Sequence, residues 1–274
     1  MCTTHASRCQ PDPINLHLQF LQRTVVGPAA FKVKDVKLGS RISNLHIALS
    51  QEGRGVVEGY ITMSNLAKEN GLSLPTHFQL HPPVLPVDLA LLSSQGEDLN
   101  WVRRRVEAFP IFRRAGMHIE IHLEKPERRP QGRPRSILDQ WVRFTPYSKP
   151  GKWTNDALGY LIDMFPQIVE SYINADRGEL DLQENPATEQ DEPRPKLWYP
   201  TMSLNLDVKG LLPPEGVEWV FVRAQAKVIN RGRMDLLITV LDTEHHIVAL
   251  STHSALILDA LRNTATGQKK RAKM

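Results

Sequence analysis

At 274 residues, 41% hydrophobic and 23% charged, the chain has the size and balance of one large globular domain or two ordinary ones. Its formal net charge of +4 permits anionic ligands such as phosphates without arguing for nucleic acid. No apolar run approaches the ~20 residues that span a bilayer, and Cys2 and Cys9 lie in a polar N-terminal stretch without the apolar core of a secretory signal, so the chain reads as intracellular with no disulfide framework.

In chain order, Ile14–Phe20 alternates apolar and polar residues and predicts a strand. Turns at Gly27-Pro28, Gly39-Ser40 and Gly53-Arg54-Gly55 set off three more: Phe31–Val36, Ile42–Ser50 and Val56–Met63. Ala67–Arg114 is a proline-rich excursion with one short helix near Val87–Leu92. Met117–Leu123 and Ile137–Phe144 predict strands on either side of a basic, proline-rich loop, Lys125–Arg135. Trp153–Tyr172 is the long helix. Thr154 or Asn155 caps it, and Leu158, Leu161, Ile162, Phe165, Ile168, Val169 and Tyr172 recur at helical spacing. Pro166 lies inside it and predicts a kink or a break. Asp163 falls roughly opposite the apolar stripe. Asn174–Lys196 is acidic, polar and without a period, hence a surface insertion. Four strands follow, Thr201–Val208, Glu218–Asn230, Arg233–Leu241 and Ile247–Leu258, and then the basic tail GQKKRAKM.

The first four strands and the last four agree in order, length and turn position, which points to a duplicated unit. INLHLQF aligns with MSLNLDV, RISNLHIAL with RMDLLITVL, and VVEGYIT with IVALSTH. The long helix precedes only the second set. Either the chain is shortened at its N-terminus, or the excursion or a partner subunit covers the apolar groove of the first unit. The expected form is a homo-oligomer, or a sheet left partly open. The expected units are 1–136, then 137–262 carrying the insertion at 174–198, then the tail 263–274.

A helix held in the curve of an antiparallel sheet, present in two copies, resembles the double hotdog fold, an α+β architecture. The strings NLHLQFLQRTVVGPA, LPVDLA, LGYLIDMFPQIVE, WYPTMSLNLDVK, GVEWVFVRAQAKVINRGRMDL and VALSTHSALILD resemble the fungal thioesterase-like superfamily, related to acyl-CoA thioesterase II, from about residue 11 to residue 262. The resemblance implies a double hotdog whose first hotdog is N-terminally truncated. It implies an acyl-CoA thioesterase-like hydrolase that turns an activated water on acyl-CoA or another acyl thioester, without a cofactor. In thioesterase II an Asp on the second helix, a Thr on the following strand and a Gln on the last strand hold that water. The family's Gly-Tyr-x-x-Asp resembles Gly159-Tyr160-Leu161-Ile162-Asp163. Its Thr-Ile-Asp resembles Ser203-Leu204-Asn205, and its Val-Ala-Ser-Thr-Val-Gln resembles Val248-Ala249-Leu250-Ser251-Thr252-His253. The implied catalytic residues are therefore Asp163, Ser203 and His253. Ser for Thr keeps the hydroxyl. His for Gln keeps a hydrogen-bonding side chain but changes its charge and reach. That departure leaves a second reading open: a non-hydrolytic hotdog protein of secondary metabolism that binds an acyl or polyketide intermediate and steers its cyclisation, isomerisation or release.

Thioester hydrolysis needs a positioned water, a base or orienting acceptor, and donors for the oxyanion. Asp163 supplies the acceptor, Ser203 the orienting hydroxyl and His253 a donor or base. Backbone N–H groups at the helix start, Thr154–Ala157, are the expected oxyanion donors. Each residue alone has a plainer reading. Asp163 is then a solvated helix residue, Ser203 part of a wet face with Asn205 and Asp207, and His253 a packed histidine on a face of small residues. Arg103-Arg104-Arg105, Arg113-Arg114, Arg128-Arg129 and Arg133 either grip the phosphates of coenzyme A or are solvated loop charges. Trp101, Phe109 and Phe112 interleave with these arginines, but no nucleic-acid motif accompanies them. There is no Gly-x-Ser-x-Gly elbow, and His245-His246 has no partner at ligand spacing, so neither a serine hydrolase nor a metal site is expected. The final Ala272-Lys273-Met274 resembles the Ser-Lys-Leu peroxisomal tripeptide, which sets the peroxisome beside the cytoplasm as the expected location.

Overall fold

The computed structural model describes residues 9–104, 114–164, 166–175 and 197–259. Alternating sequence in the first quarter of the chain forms β1 (Asp12–Phe20), β2 (Ala30–Leu38), β3 (Ser43–Gln51) and β4 (Arg54–Ser64). Next come α1 (Leu89–Gln95), β5 (Trp101–Arg103), β6 (Ile119–Glu124) and β7 (Ile137–Phe144). The expected long helix is an interrupted one, α2 (Leu158–Ile162) and α3 (Glu170–Ala175). The chain continues as β8 (Leu197–Trp198), β9 (Thr201–Val208), β10 (Trp219–Gln225), β11 (Ile229–Asn230), β12 (Arg233–Leu241), β13 (Ile247–Leu256) and β14 (Leu258–Asp259).

The main sheet runs in the order β2-β3-β4-β1-β9-β13-β12-β10-β7-β6-β5, with β11 beside β12, and β8 pairs with β14 in a separate two-stranded sheet. The two matching strand sets meet at β1 and β9, where Leu16 lies opposite Leu206 and Leu18 opposite Leu204. Outward from that seam each set places its first, fourth, third and second strand in turn, so the sequence duplication is also a duplication of topology. β5 and β6, which the sequence reading grouped with the first unit, hydrogen-bond in line with β7 beyond β10.

The helix breaks where the sequence forbids it to continue. Pro166 has no N–H to donate and disfavours helical backbone in the residue before it. α2 stops at Asp163, and a 3₁₀ turn over Pro166–Val169 leads into α3. Leu158, Leu161, Ile162, Ile168 and Val169 bury their apolar stripe against one face of β9, β10, β12 and β13. Leu16 and Phe20 of β1 pack on the same core.

The proline-rich excursion goes elsewhere. Asp88 caps α1 by accepting from Ala90 N and Leu91 N, each at 3.0 Å. Leu80, Val84, Leu85, Val87, Leu89 and Leu92 then cover Trp101, Trp141, Trp219 and Phe221. Phe221 alternates with Val220 and Val222, which face the helix, so these residues lie on the opposite face of the sheet. The described part of the excursion therefore does not fill the groove of the first unit. There Leu45, Ile47, Ile61 and Met63 form a small core of their own, and Phe31 on β2 stays 69% exposed. The insertion from residue 176 to 196, the C-terminal tail, and Arg105, Phe109, Phe112, Arg113 and Phe165 lie outside the described residues. No helix among the described residues is long and apolar enough to cross a membrane.

Candidate active site

Asp163 stands where α2 ends, its backbone at φ −88° and ψ 1°. Its side chain is 43% exposed, yet it does not simply point to water. Thr201 Oγ1 donates to Asp163 Oδ1 at 2.9 Å, and His253 Nδ1 lies 3.8 Å from the same oxygen. Three elements thus converge: the end of α2, the start of β9 and the middle of β13. Burial raises the Asp163 pKa above the ordinary 3.8, and the bond from Thr201 works against that rise. His253 is buried and carries the opposite shift, lowered by burial from 6.5 to about 4. The imidazole is therefore neutral at physiological pH. At 3.8 Å the pair is within ion-pair range, but a neutral ring makes no ion pair, and the gap exceeds a direct hydrogen bond.

The structure brings Asp163 and His253 together and leaves Ser203 out. His253 pairs with Leu204, whose side chain is buried in the helix-side core. Ser203 is one residue away and so points to the other face, opposite Ser254. There it shares a row with Asn205 and Asp207. On that face Asn205 Oδ1 meets His17 Nδ1 at 2.6 Å and Asn205 Nδ2 donates to Thr252 Oγ1 at 3.1 Å. Thr201 reaches Asp163 through a β-bulge: the ladder steps from Ser254↔Ser203 directly to Ala255↔Thr201. An extra residue on one strand turns the following side chain to the other face. Pro200, which precedes Thr201 and has no N–H for the ladder, is the sequence signal for this irregular strand start.

The other expected site groups are placed differently. Asn155, at the helix start, exchanges hydrogen bonds with Leu212, donating through Nδ2 at 3.1 Å and accepting at Oδ1 at 2.9 Å. It lies eight residues before Asp163, on the order of 12 Å along a helix, so the helix start does not sit beside the carboxylate. Arg103 and Arg104 are paired with Glu120 and Glu170 at 2.7 and 3.1 Å. Arg133 is buried between Glu124 and Asp139. Apolar surface does adjoin the site: Met164 follows Asp163, and both Met164 and Phe20 are partly buried against the helix-side core.

Residues 86–257 match the acyl-CoA thioesterase C-terminal domain, and residues 1–64 match the acyl-CoA thioesterase N-terminal domain. The chain belongs to the acyl-CoA thioesterase family. This thioesterase-family chain is similar to the thioesterase-like protein TwmA of Talaromyces wortmannii, with 32% identity over 284 residues, covering 94% of this chain and 80% of that one. Among solved structures it is similar to a conserved hot dog fold protein from Alicyclobacillus acidocaldarius, with TM-score 0.64, 15% identity, and 90% and 79% of the two chains covered. It is also similar to an acyl-CoA thioesterase II from Mycobacterium marinum, with TM-score 0.55, 14% identity, and 90% and 81% covered. Together with the strand order these likenesses make the fold a double hotdog. The N-terminal family domain holds β1–β4, and the C-terminal one holds α1 through β13.

Proposed function

We propose that this thioesterase-family chain hydrolyses an acyl thioester, with acyl-CoA the first substrate to consider, using a water held at Asp163. The observation that supports this reading is the meeting of Asp163, Thr201 and His253 at one partly open point on a double hotdog. In the reaction the water oxygen bonds to the thioester carbon and the carbon–sulfur bond breaks. Asp163 accepts a proton from the water and returns it to the leaving thiolate, so that a free acid and a free thiol result. Thr201 keeps the carboxylate oriented through Oδ1. Ser203 takes no part.

The replacement of Gln by His at position 253 supports one other reading, in which the same fold binds an acyl or polyketide intermediate without hydrolysing it and steers its cyclisation, isomerisation or release. A thiol-release assay across short, medium and long acyl-CoAs separates the two. Turnover of at least one chain length, with the free acid as product, is the expected result. Binding of acyl-CoA without thiol release at any chain length would favour the non-hydrolytic reading. A homo-oligomer is the form we infer for the protein, since the apolar inner surface of β2 is open in one chain.

A further inference from the structure

Ser251 lies on β13, two residues before His253 and on the same face of the strand. Its hydroxyl is buried. Oγ sits 2.9 Å from His253 Nε2 and also donates to the Asn205 carbonyl of β9. A hydroxyl has one hydrogen, and a carbonyl oxygen has none to give. The hydrogen between Ser251 and Asn205 therefore belongs to Ser251, and the hydrogen between Ser251 and His253 belongs to the imidazole. The Asn205 carbonyl is held in place in turn, because its own side chain bridges His17 and Thr252 on the far face of the sheet.

We infer that Ser251 is a positioning residue that fixes His253 as the Nε2–H tautomer and so presents the bare Nδ1 lone pair to Asp163. The sequence of atoms, Ser251 Oγ to Nε2 and Nδ1 to Asp163, has the connectivity of a nucleophilic serine triad with the polarity reversed. The serine accepts from the ring instead of giving its proton to it, and it is no nucleophile. Two acceptors, Nδ1 and Asp163 Oδ1, then face each other across 3.8 Å. On the hydrolase reading, on which this consequence rests, a water donating one hydrogen to each acceptor has its lone pairs free for the thioester carbon. A glutamine at position 253 offers donors as well as an acceptor. The buried imidazole, held this way, offers an acceptor only.

The test is the tautomer itself, read from long-range ¹H–¹⁵N correlations of protein labelled with ¹⁵N-histidine, with the His253 signals assigned by their loss in His253→Gln. The expected wild-type spectrum has the proton on Nε2 and an unprotonated Nδ1 at neutral pH. Ser251→Ala should move the proton to Nδ1 or mix the tautomers, and should lower any thiol release by up to about 10-fold, the rate equivalent of one neutral hydrogen bond. Ser251→Thr, which keeps the hydroxyl, should keep the Nε2 proton. A wild-type ring protonated at Nδ1 overturns the assignment, and that spectrum needs no variant to fold. An unchanged tautomer in Ser251→Ala, or covalent labelling of Ser251 by a fluorophosphonate, also overturns it. A wild-type protein with the Nε2 proton but no thiol release refutes the hydrolase reading and leaves the tautomer assignment standing.

Discussion

At the scale of single residues, the Thr201 hydroxyl is the group that orients Asp163, at 2.9 Å. A hydrogen bond to a charged group contributes roughly 1.5–3 kcal/mol, or about 10- to 100-fold in rate if it is needed at the transition state. Thr201→Val should therefore lower kcat/KM by about that factor, Thr201→Ser should retain most of it, and Ser203→Ala should change nothing in a thiol-release assay. Equal losses in Thr201→Val and Ser203→Ala would contradict the placement. The pH dependence follows from the two shifts. Asp163 accepts from water only when ionised, and burial holds its pKa above 3.8; His253 stays neutral above about 4. Plots of kcat/KM against pH should rise from acid toward neutral with a midpoint above 3.8, and a rate that falls over that range would count against Asp163 as acceptor. The places of Asp163 and His253 in the fold were legible in the sequence because a helical motif and a regular strand carry them. Ser203 was chosen by its likeness to the family's Thr-Ile-Asp, and its row with Asn205 and Asp207 was readable; the bulge after Pro200 that turns Thr201 toward Asp163 was not. The partnership of Ser251 with His253 was hidden for another reason: same-face spacing shows that two side chains are neighbours, but not where a hydroxyl sends its hydrogen.

At the scale of elements, β6, β7 and β10 carry charge on the face away from the helix. Arg223 Nε and Nη2 each donate to Asp139 at 2.7 Å, and Arg133 bridges Asp139 to Glu124. Beside this network His122 is fully buried against Trp219, ring centroids 5.1 Å apart, and neither of its nitrogens has a hydrogen-bond partner among the described residues. Burial first, then Arg103 and Arg143, lowers its pKa from 6.5 to about 4. Between those values the unfolded chain binds the proton and the folded one does not. The stability tied to the neutral ring is therefore complete above about 6.5 and is lost as the pH falls toward 4. Over that span the loss amounts to roughly 3 kcal/mol. His122→Phe removes the titration, so its Tm should gain on the wild type as the pH is lowered through this window. The opposite contribution of Glu124, raised by burial to about 7, is common to both proteins and cancels in the difference. Parallel Tm curves would contradict the burial of an uncharged His122. None of this network was visible beforehand. Arg133 read as a phosphate grip or a loop charge and Arg223 as one more strand residue, because sequence gives strand parity but not which strands become neighbours.

At the scale of the whole molecule, the duplication was readable from the order, lengths and turn positions of the strands, and the shared sheet joined at β1 and β9 was not. β2 is the outer edge of that sheet. Phe31 and Val33 lie opposite Leu49 and Ile47 and extend the apolar face of the first-unit core, yet they are exposed in one chain. Light scattering during gel filtration should give a mass above that of one chain, and Phe31→Glu with Val33→Glu should reduce it toward one. A wild-type protein that is monomeric at micromolar concentration would mean that this edge faces water. The central claim is that a water at Asp163 cleaves an acyl thioester. It is tested most directly by kcat/KM for thiol release by the wild type and by Asp163→Asn, on the acyl-CoA that the wild type turns over fastest. Asn keeps the size of the side chain and an acceptor for Thr201 but cannot take a proton. The variant should stay folded, with an unchanged Tm within error, and lose at least about 100-fold in kcat/KM. Thiol release that survives in Asp163→Asn at the wild-type rate would contradict the account.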